Sequence, residues 1–201
     1  MNWAINSFEQ PVALVPQAKA LCAICKANLR AHCGDVLTWH WHHEGKDCDP
    51  WSEPETKWHQ EWKSKFPEAF TEKVKGSHRA DILTANGLAI EFQHSSISFA
   101  EIQERENFWG GIVWVFDARD WFDNFDLRLR PQDFSFRWKH PRQSMFAIER
   151  PLFLDAGSEI FQITFLGRGI PCGGVGRFIP YPYFVRSMMT SKPEKAKVAK
   201  I

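Results

Sequence analysis

The sequence predicts an α/β fold from three observations: a strand hairpin, a capped helix that follows it, and an apolar run after the helix. The hairpin comprises residues 78–83 and 88–93, which are joined by Thr84-Ala85-Asn86-Gly87. Asn-Gly between two largely apolar runs is the strongest short-range signal for a hairpin. Strand, strand, helix and strand in succession are typical of an α/β domain.

The helix is predicted between Ser98 and Gly110. Ser98 with Glu101 three residues later is typical of a capping box, and Gly110-Gly111 is typical of a helix end. The run 112–116 that follows is almost entirely apolar, as expected for a strand that is buried on both faces.

The last quarter of the chain is less informative. Residues 160–166 predict a strand, paired with residues 151–154 across Asp155-Ala156-Gly157-Ser158. The glycine-rich stretch 167–176 predicts a loop. Within it, Gly173-Gly174-Val175-Gly176 predicts a turn and not a phosphate-binding loop, because it does not lie between a strand and a helix.

Each strand of the hairpin carries one carboxylate, Asp81 on the first and Glu91 on the second. Directly opposite residues of a hairpin are roughly 5 Å apart at Cβ, a separation that suits one shared divalent cation. Carboxylate oxygens favour Mg²⁺ or Mn²⁺. Gln93 lies two residues after Glu91 and therefore on the same face of the strand. The alternative is that both acids lie on a solvent-facing side of the hairpin.

Two segments, Arg79-Ala80-Asp81-Ile82 and Ile90-Glu91-Phe92-Gln93-His94-Ser95-Ser96-Ile97-Ser98, together with Arg105, resemble one known family. They are similar to the PD-(D/E)XK nuclease superfamily in its E-x-Q variant, and within it to the competence protein CoiA-like nucleases. The resemblance covers roughly residues 20–120. It implies a restriction-endonuclease-like core, which is a mixed central sheet flanked by helices.

The resemblance also implies roles for individual residues. Asp81 and Glu91 would be catalytic residues that hold Mg²⁺ or Mn²⁺, with the Phe92 carbonyl as a third ligand. Gln93 stands where most of the superfamily has lysine. An amide can position the attacking water but cannot take its proton, so the metal would have to provide more of the activation.

A helix is also predicted upstream, over residues 53–66 with Ser52 as its N-cap. Glu55 and His59 are four residues apart and would share one helical face. The resemblance implies that a Glu and a His on this helix line the active site. The alternative is an ordinary solvated helical face.

Three further residues are predicted to contact nucleic acid: Arg79, Ser95 and Arg105. Arg105 would either reach a phosphate or anchor an acidic residue of the active site, and the alternative is a surface arginine. A basic segment with interleaved aromatic residues, 128–142, is a second candidate for contact with nucleic acid. Alternation of Phe134, Phe136 and Trp138 is explained more simply by a strand with one buried face.

A structural zinc site is predicted near the N-terminus. Cys-x-x-Cys is the usual first half of such a site, and a later pair of Cys or His residues completes it. The CoiA-like proteins resemble this segment, with a His-Phe-Ala-His stretch where this chain has His40-Trp41-His42-His43. His40 is an alternative ligand, and Cys33 is another. A redox role is disfavoured because no thioredoxin-like βαβ pattern surrounds the two cysteines. The predicted ligands are Cys22, Cys25, His43 and Cys48.

Composition places limits on the class of protein. The net charge of +1 excludes a uniformly basic nucleic-acid-binding protein, so any contact with DNA would be local. Neither a signal peptide nor an apolar run of membrane-spanning length is found, which predicts a cytoplasmic location without membrane contact. Three domains are predicted: a zinc-ribbon-like module at 1–50, a nuclease-like domain at 51–189 and a flexible basic tail at 190–201.

The predicted function is metal-dependent hydrolysis of DNA phosphodiester bonds. The resemblance implies a task in the uptake, recombination or processing of foreign DNA, with DNA as the partner and either a homodimer or recombination or defence proteins as further partners. A nucleic-acid-binding accessory protein that retains the scaffold without cutting is the alternative. RNA is a third possible substrate.

Overall fold

The structure is a computed structural model that describes residues 4–34, 39–45, 48–52, 55–169 and 172–192. They fall into two compact units, the first within residues 1–81 and the second within 82–201. No helix in these described ranges is long and apolar enough to cross a membrane. The predicted basic tail lies outside the described residues from position 193 onward. The helices and strands in chain order are β1 (Lys19–Leu21), β2 (Asn28–His32), β3 (His40–His43), α1 (Lys57–Lys63), β4 (Thr71–Lys75), β5 (His78–Leu83), β6 (Ala89–Gln93), α2 (Phe99–Trp109), β7 (Ile112–Asp117), β8 (Phe125–Leu129), β9 (Phe134–Trp138), β10 (Leu152–Asp155), β11 (Ile160–Gly167), β12 (Cys172–Ile179) and α3 (Tyr181–Thr190).

The first unit begins with a small antiparallel sheet in the order β1-β2-β3. Its residues alternate between buried and exposed, because successive side chains of a strand point to opposite faces. Leu29, Ala31 and Trp41 lie on the buried face and form a compact apolar cluster with Ala4, Ala20 and Cys22. This core is small for a sheet that must remain folded.

A nine-stranded mixed sheet has the order β4-β5-β6-β7-β10-β11-β12-β9-β8. Strands β6, β7 and β10 are parallel neighbours, whereas β5 pairs with β6 and β11 pairs with β10 in antiparallel orientation. A mixed sheet with helices confirms the predicted α/β class. The two central parallel strands are wholly buried, as the continuous apolar run 112–116 predicted.

The predicted hairpin and the helix that follows it are confirmed. Ile82 pairs with Ile90 and Leu83 with Ala89 in antiparallel register. Gly87 supplies the positive φ of 80° that the turn requires.

At the helix, the Ser98 side chain accepts a hydrogen bond from the Glu101 N–H at 3.1 Å, which caps the first turn of α2. Gly110 ends the helix with a φ of 71°.

The prediction of a loop over residues 167–176 is wrong at both ends of that stretch, because Gly167 ends β11 and β12 begins at Cys172 and includes Gly173, Gly174 and Gly176. These glycines allow atoms of neighbouring strands to lie close to the β12 backbone. A Cβ at Gly174 would lie 2.2 Å from the Phe165 carbonyl oxygen, and one at Gly176 would lie 2.4 Å from the Phe161 ring. The glycines thus allow aromatic rings to pack directly on the strand backbone.

Helix α1 begins later than predicted. Its N-cap is Thr56, whose hydroxyl accepts a hydrogen bond from the His59 N–H, and it ends at Lys63. Glu55 therefore precedes the helix and does not share a helical face with His59. Trp58 and Trp62 of this helix are buried. Residues 53 and 54, the first two of the predicted helix, lie outside the described residues.

Candidate active site and metal centre

One buried lysine organises the acidic residues of the first unit. The Lys63 ammonium donates to Glu55 Oε2 at 2.7 Å and to Glu72 Oε1 at 2.9 Å, and its Nζ lies 3.4 Å from Asp81 Oδ1. Lys63, Glu55 and Glu72 are each less than a tenth exposed, whereas the Asp81 side chain is a fifth exposed. Three carboxylates around one ammonium, with Arg79 as a second cation that acts on Glu72, leave an excess of negative charge at a site with partial access to solvent.

The charges of this cluster shift the titration of its members. Burial alone would lower the pKa of Lys63, but attraction to Asp81, Glu72 and Glu55 outweighs it and raises that pKa. Burial would raise the pKa of Glu72, but Lys63 and then Arg79 lower it to about 2. Lys63 and Glu72 are consequently held in their charged forms near neutral pH.

Sequence reasoning missed Lys63 and Glu72 as members of this site. The members of this cluster come from different parts of the chain: Glu55 precedes α1, Lys63 ends it, Glu72 is on β4 and Asp81 is on β5. No single helix or strand period therefore relates them. One signal was available: a lysine that directly follows the buried Trp62, at the last position of α1, is a candidate for an internal cation. Glu72 also has a left-handed backbone, with a φ of 51°. Such a conformation is costly for a non-glycine residue and often marks functional sites.

We expect Lys63→Met to lower the free energy of unfolding by about 3–5 kcal/mol at pH 7, because it leaves buried carboxylates without their cation. The loss should shrink in acid. The folded-state pKa of Glu72 lies below its ordinary value of 4.5, so its contribution is fully present above pH 4.5 and disappears as the pH falls through about 2. Urea unfolding at several pH values measures both effects.

Lys57→Met is the matched control, since Lys57 is an exposed lysine of the same helix. Its removal should change the free energy of unfolding by less than about 0.5 kcal/mol. A Lys63→Met loss that is equal to the control, or that is independent of pH, would contradict the role assigned to this ammonium.

His59 is buried on α1, four residues before Lys63, and forms hydrogen bonds with Thr56 at the start of the same helix. Its Nδ1 lies 2.8 Å from the Thr56 hydroxyl and accepts from the Thr56 N–H at 3.3 Å, completing a capping box. The side chain thereby fixes the first turn of α1, which also carries Lys63. Its predicted catalytic role remains a prediction.

Arg79, predicted to contact nucleic acid, is held through its backbone by Asp49. The Asp49 carboxylate accepts from the Arg79 N–H at 3.0 Å, the Trp51 N–H at 3.0 Å and His78 Nδ1 at 2.9 Å. The His78 ring stacks on Trp51 with a centroid separation of 3.3 Å. This network fixes the start of β5, two residues before Asp81.

In the second unit, Glu91 is buried on β6 and faces an arginine of α2. Arg105 Nη1 lies 3.4 Å from Glu91 Oε2, and its Nη2 donates to Glu101 one helical turn away. The guanidinium also lies 5.9 Å from the centre of the Trp114 ring. Arg105 is only 3% exposed, so in this arrangement it contacts an acidic residue of the candidate site. Contact with a phosphate remains a prediction.

Gln93 is also buried, at the end of the same strand. Its Nε2 donates to the Ser95 carbonyl oxygen at 3.2 Å. The Gln93 side chain therefore stabilises the backbone directly after β6. Ser95 itself is exposed. The predicted role of Ser95 in nucleic-acid contact has not been tested.

Four side chains near the N-terminus form a separate cluster that could hold a metal ion. The ligand atoms of Cys22, Cys25, His43 and Cys48 all lie within 4.8 Å of one another. The Sγ atoms of Cys22 and Cys48 are 3.6 Å apart, and Cys25 Sγ is 3.4 Å from His43 Nε2. Sulfurs bound to one tetrahedral zinc at about 2.3 Å lie roughly 3.7 Å apart, which matches this arrangement.

The chemistry of these thiols favours a cation. Burial, together with the sulfurs of Cys22 and Cys25, raises the pKa of Cys48 to about 12. Thiolates this close repel one another, so a bound cation would be required to keep all of them deprotonated at neutral pH.

The two alternative zinc ligands, His40 and Cys33, do not belong to this cluster. On β3 the side chains of Trp41 and His43 are buried, whereas His40 and His42 belong to the other face. The His40 ring lies 5.4 Å from that of His32, measured between centroids. Cys33 packs against the apolar cluster of the small sheet. Strand alternation therefore selects His43 over His40.

Comparison with known proteins yields one family. Residues 56–146 match the family model described as competence protein CoiA, nuclease-like domain. The matched segment runs from the N-cap of α1 to the short helical turn after β9, and it includes Lys63, Asp81, Glu91 and Gln93. No curated protein and no solved structure gave a significant match.

Proposed function

Because residues 56–146 of this chain belong to the nuclease-like domain family of competence protein CoiA, we propose that the protein is a metal-dependent nuclease that hydrolyses DNA phosphodiester bonds. One observation carries the proposal: an excess of negative charge at a partly open carboxylate, Asp81. That carboxylate is adjacent in sequence to Ile82, whose pairing partner Ile90 is adjacent to Glu91. Carboxylates concentrated in this way are expected to attract a divalent cation.

In this proposal Asp81 and Glu91 are the protein ligands of Mg²⁺ or Mn²⁺, with the Phe92 carbonyl as a third. The carboxylate donors fit a hard cation, and the excess charge around Lys63 provides the attraction. When bound, the cation would lower the pKa of the attacking water and offset charge on the scissile phosphate. The restriction-endonuclease-like core is part of the same proposal.

The surrounding residues would act by position and charge. Gln93 would orient the attacking water through its amide. Lys63 would hold the Asp81 carboxylate in place through the 3.4 Å approach of its ammonium. Glu55 and Glu72 would act through Lys63, because both bind its ammonium directly. Arg105 would hold the Glu91 carboxylate in place in the same way.

A second function, nucleic-acid binding without cleavage, is favoured by one observation. The Gln93 amide already donates to the Ser95 carbonyl oxygen, a structural role that a water-positioning residue does not need. A protein of this kind would retain the scaffold and the acidic residues but would not depend on a divalent cation for any reaction.

The decisive experiment is incubation of the purified protein with labelled linear and circular DNA, single- and double-stranded, in Mg²⁺, Mn²⁺ or EDTA. The nuclease proposal expects products that require the metal and are absent in EDTA, and circular substrates separate endonucleolytic from exonucleolytic action. Cleavage of a matched RNA alone would change the substrate class. Folded protein that binds DNA but gives no products under any condition would support the second function.

The broader assignments also belong to this proposal. A zinc module would occupy residues 1–50, a nuclease domain 51–189 and a basic tail 190–201. The cation of the Cys3His cluster would be a structural zinc, since sites closed by four protein ligands of this type are structural. The family alone supports a task in processing foreign DNA, with a homodimer or recombination or defence proteins as partners. The cytoplasmic location remains a prediction from the sequence.

A further inference from the structure

A pocket of about 320 Å³ opens where β6 ends, within the second unit. Its size is at the lower end of the range typical of small-ligand sites, roughly 300–1,000 Å³. The apolar part of the lining is Ile97, Phe116 and Met145, and the polar part is Ser95, Ser96, Arg142, Gln143 and Ser144. We call it the Arg142 pocket. Apart from Arg142 its lining is uncharged, so this arginine sets its electrostatic character.

Arg142 is half-buried and packs over an aromatic stack. Its guanidinium carbon is 4.4 Å from the centre of the Trp121 ring, and Trp121 stacks in turn on Trp138 at 5.7 Å. Arginine can contact an aromatic ring and still donate hydrogen bonds to an anion. The aromatic contact therefore restricts the position of this arginine in the pocket lining.

The positive charge of Arg142 is incompletely offset by its surroundings. Among the residues that the structure describes, no carboxylate forms an ion pair with it. Asp117 is the nearest source of attraction, but its oxygens accept from His94 Nδ1 at 2.9 Å and from Arg119 Nε and Nη2 at 2.8 Å. Burial disfavours the charged form and lowers the pKa of Arg142, with Asp117 opposing this shift. An anion in the pocket would relieve that penalty.

The position of the pocket relates it to the candidate active site. It lies at the carboxyl end of a parallel strand, where ligands of α/β sheets usually bind. Ser95 is part of the lining, and its carbonyl accepts the hydrogen bond from Gln93. An occupied pocket would thus be tied directly to the residue proposed to orient the attacking water.

We propose that the Arg142 pocket binds a phosphate group of a nucleic-acid strand, through the Arg142 guanidinium and the hydroxyls of Ser95, Ser96 and Ser144. The inference rests on the proposed function and deepens it by adding a second anchoring point for the strand. Arginine forks and hydroxyls are the groups that most often contact phosphate in protein–DNA complexes. The apolar floor formed by Ile97, Phe116 and Met145 would face the sugar or base of the same nucleotide.

The test measures binding separately from cleavage. In a Glu91→Gln background with Mg²⁺ present, fluorescence anisotropy gives the Kd of a labelled oligonucleotide for the full chain. Arg142→Gln should raise the Kd on the order of tenfold, as expected for the loss of one charged hydrogen-bonding group. It should also reduce the slope of log K against log salt by about 0.7–0.9. Arg186→Gln, at an exposed arginine of α3, is the matched control and should change neither.

Ser144→Asp covers the case in which loss of the Trp121 contact disturbs folding. It leaves the arginine in place and introduces a repelling charge, so it should weaken binding as much as Arg142→Gln, whereas Ser144→Ala should bind nearly as well as the parent. If Arg142→Gln and Ser144→Asp both bind the oligonucleotide as tightly as Arg186→Gln does, the proposal is wrong.

Inorganic phosphate, titrated by calorimetry, distinguishes the source of the ligand. If Arg142→Gln abolishes binding of inorganic phosphate but leaves oligonucleotide affinity unchanged, the pocket serves a free phosphate compound and the strand-anchoring proposal is wrong. If wild-type protein cuts no nucleic acid but the pocket variants still weaken its binding, the nuclease proposal fails while this inference stands.

Discussion

If the Cys22, Cys25, His43 and Cys48 cluster holds zinc as proposed, removal of the metal is expected to unfold the three-stranded sheet of the first unit. Among the described residues, the apolar cluster of that sheet contains six buried residues, three of them alanine. Structural zinc contributes an apparent 10–16 kcal/mol in small zinc-binding peptides, about as much as the whole stability of a typical domain. Circular dichroism and limited proteolysis before and after treatment with 1,10-phenanthroline should therefore show loss of protection over residues 4–52.

Cysteine substitutions provide the control for this prediction. Cys22→Ser should lose the metal, whereas Cys33→Ser, which changes a cysteine outside the cluster, should retain one zinc per chain by native mass spectrometry. Equal metal content in both variants would contradict the assigned ligand set. Full resistance to proteolysis in metal-free protein would show that the apolar cluster suffices without a cation.

Glu91→Gln is expected to reduce metal-dependent cleavage of DNA by at least about a thousandfold, because it removes one of the two proposed ligands of the catalytic cation. The substitution conserves the size of a buried side chain, so the fold should persist. Its direct effect on stability is limited, since Arg105 retains Glu101 as a charged partner. Cleavage rates should be measured at several concentrations of Mg²⁺ and Mn²⁺, with melting temperature as the check on folding.

Glu101→Gln is the matched control, because it alters the other carboxylate that Arg105 contacts. It should leave cleavage within a few-fold of wild type, since Glu101 is not a proposed ligand. If the two variants lose activity equally, the role of Glu91 is to position Arg105 and not to bind a cation. If neither variant loses activity, the Glu91 carboxylate takes no part in the reaction.

Much of the central fold could be predicted because its signals are local. The turn at Asn86-Gly87, the cap at Ser98 and the buried run of β7 each depend on a few adjacent residues. The glycines of β12 misled the prediction for the opposite reason. Their function is to admit Phe136, Phe161 and the Phe165 backbone, contacts that are distant in sequence.

The candidate site could be predicted only in part. Asp81 and Glu91 were predicted from their positions on neighbouring strands, and their catalytic role remains a prediction. The cluster around Lys63 assembles residues from the approach to α1, from α1 itself and from β4 and β5. Such a set depends on tertiary packing and has no period. His43 was predicted as a zinc ligand with His40 as the alternative, and His43 lies in the cluster that could hold a metal ion. Trp41, two residues earlier, marks the same buried face of the strand.

The excess negative charge around Lys63 also has a kinetic consequence. A phosphodiester anion that approaches Asp81, Glu72 and Glu55 without a cation meets repulsion that one ammonium does not cancel. In the proposed enzyme the divalent ion would therefore add before the nucleic acid or together with it, in an ordered mechanism. Metal concentration would then control how tightly the substrate is held as well as how fast it reacts.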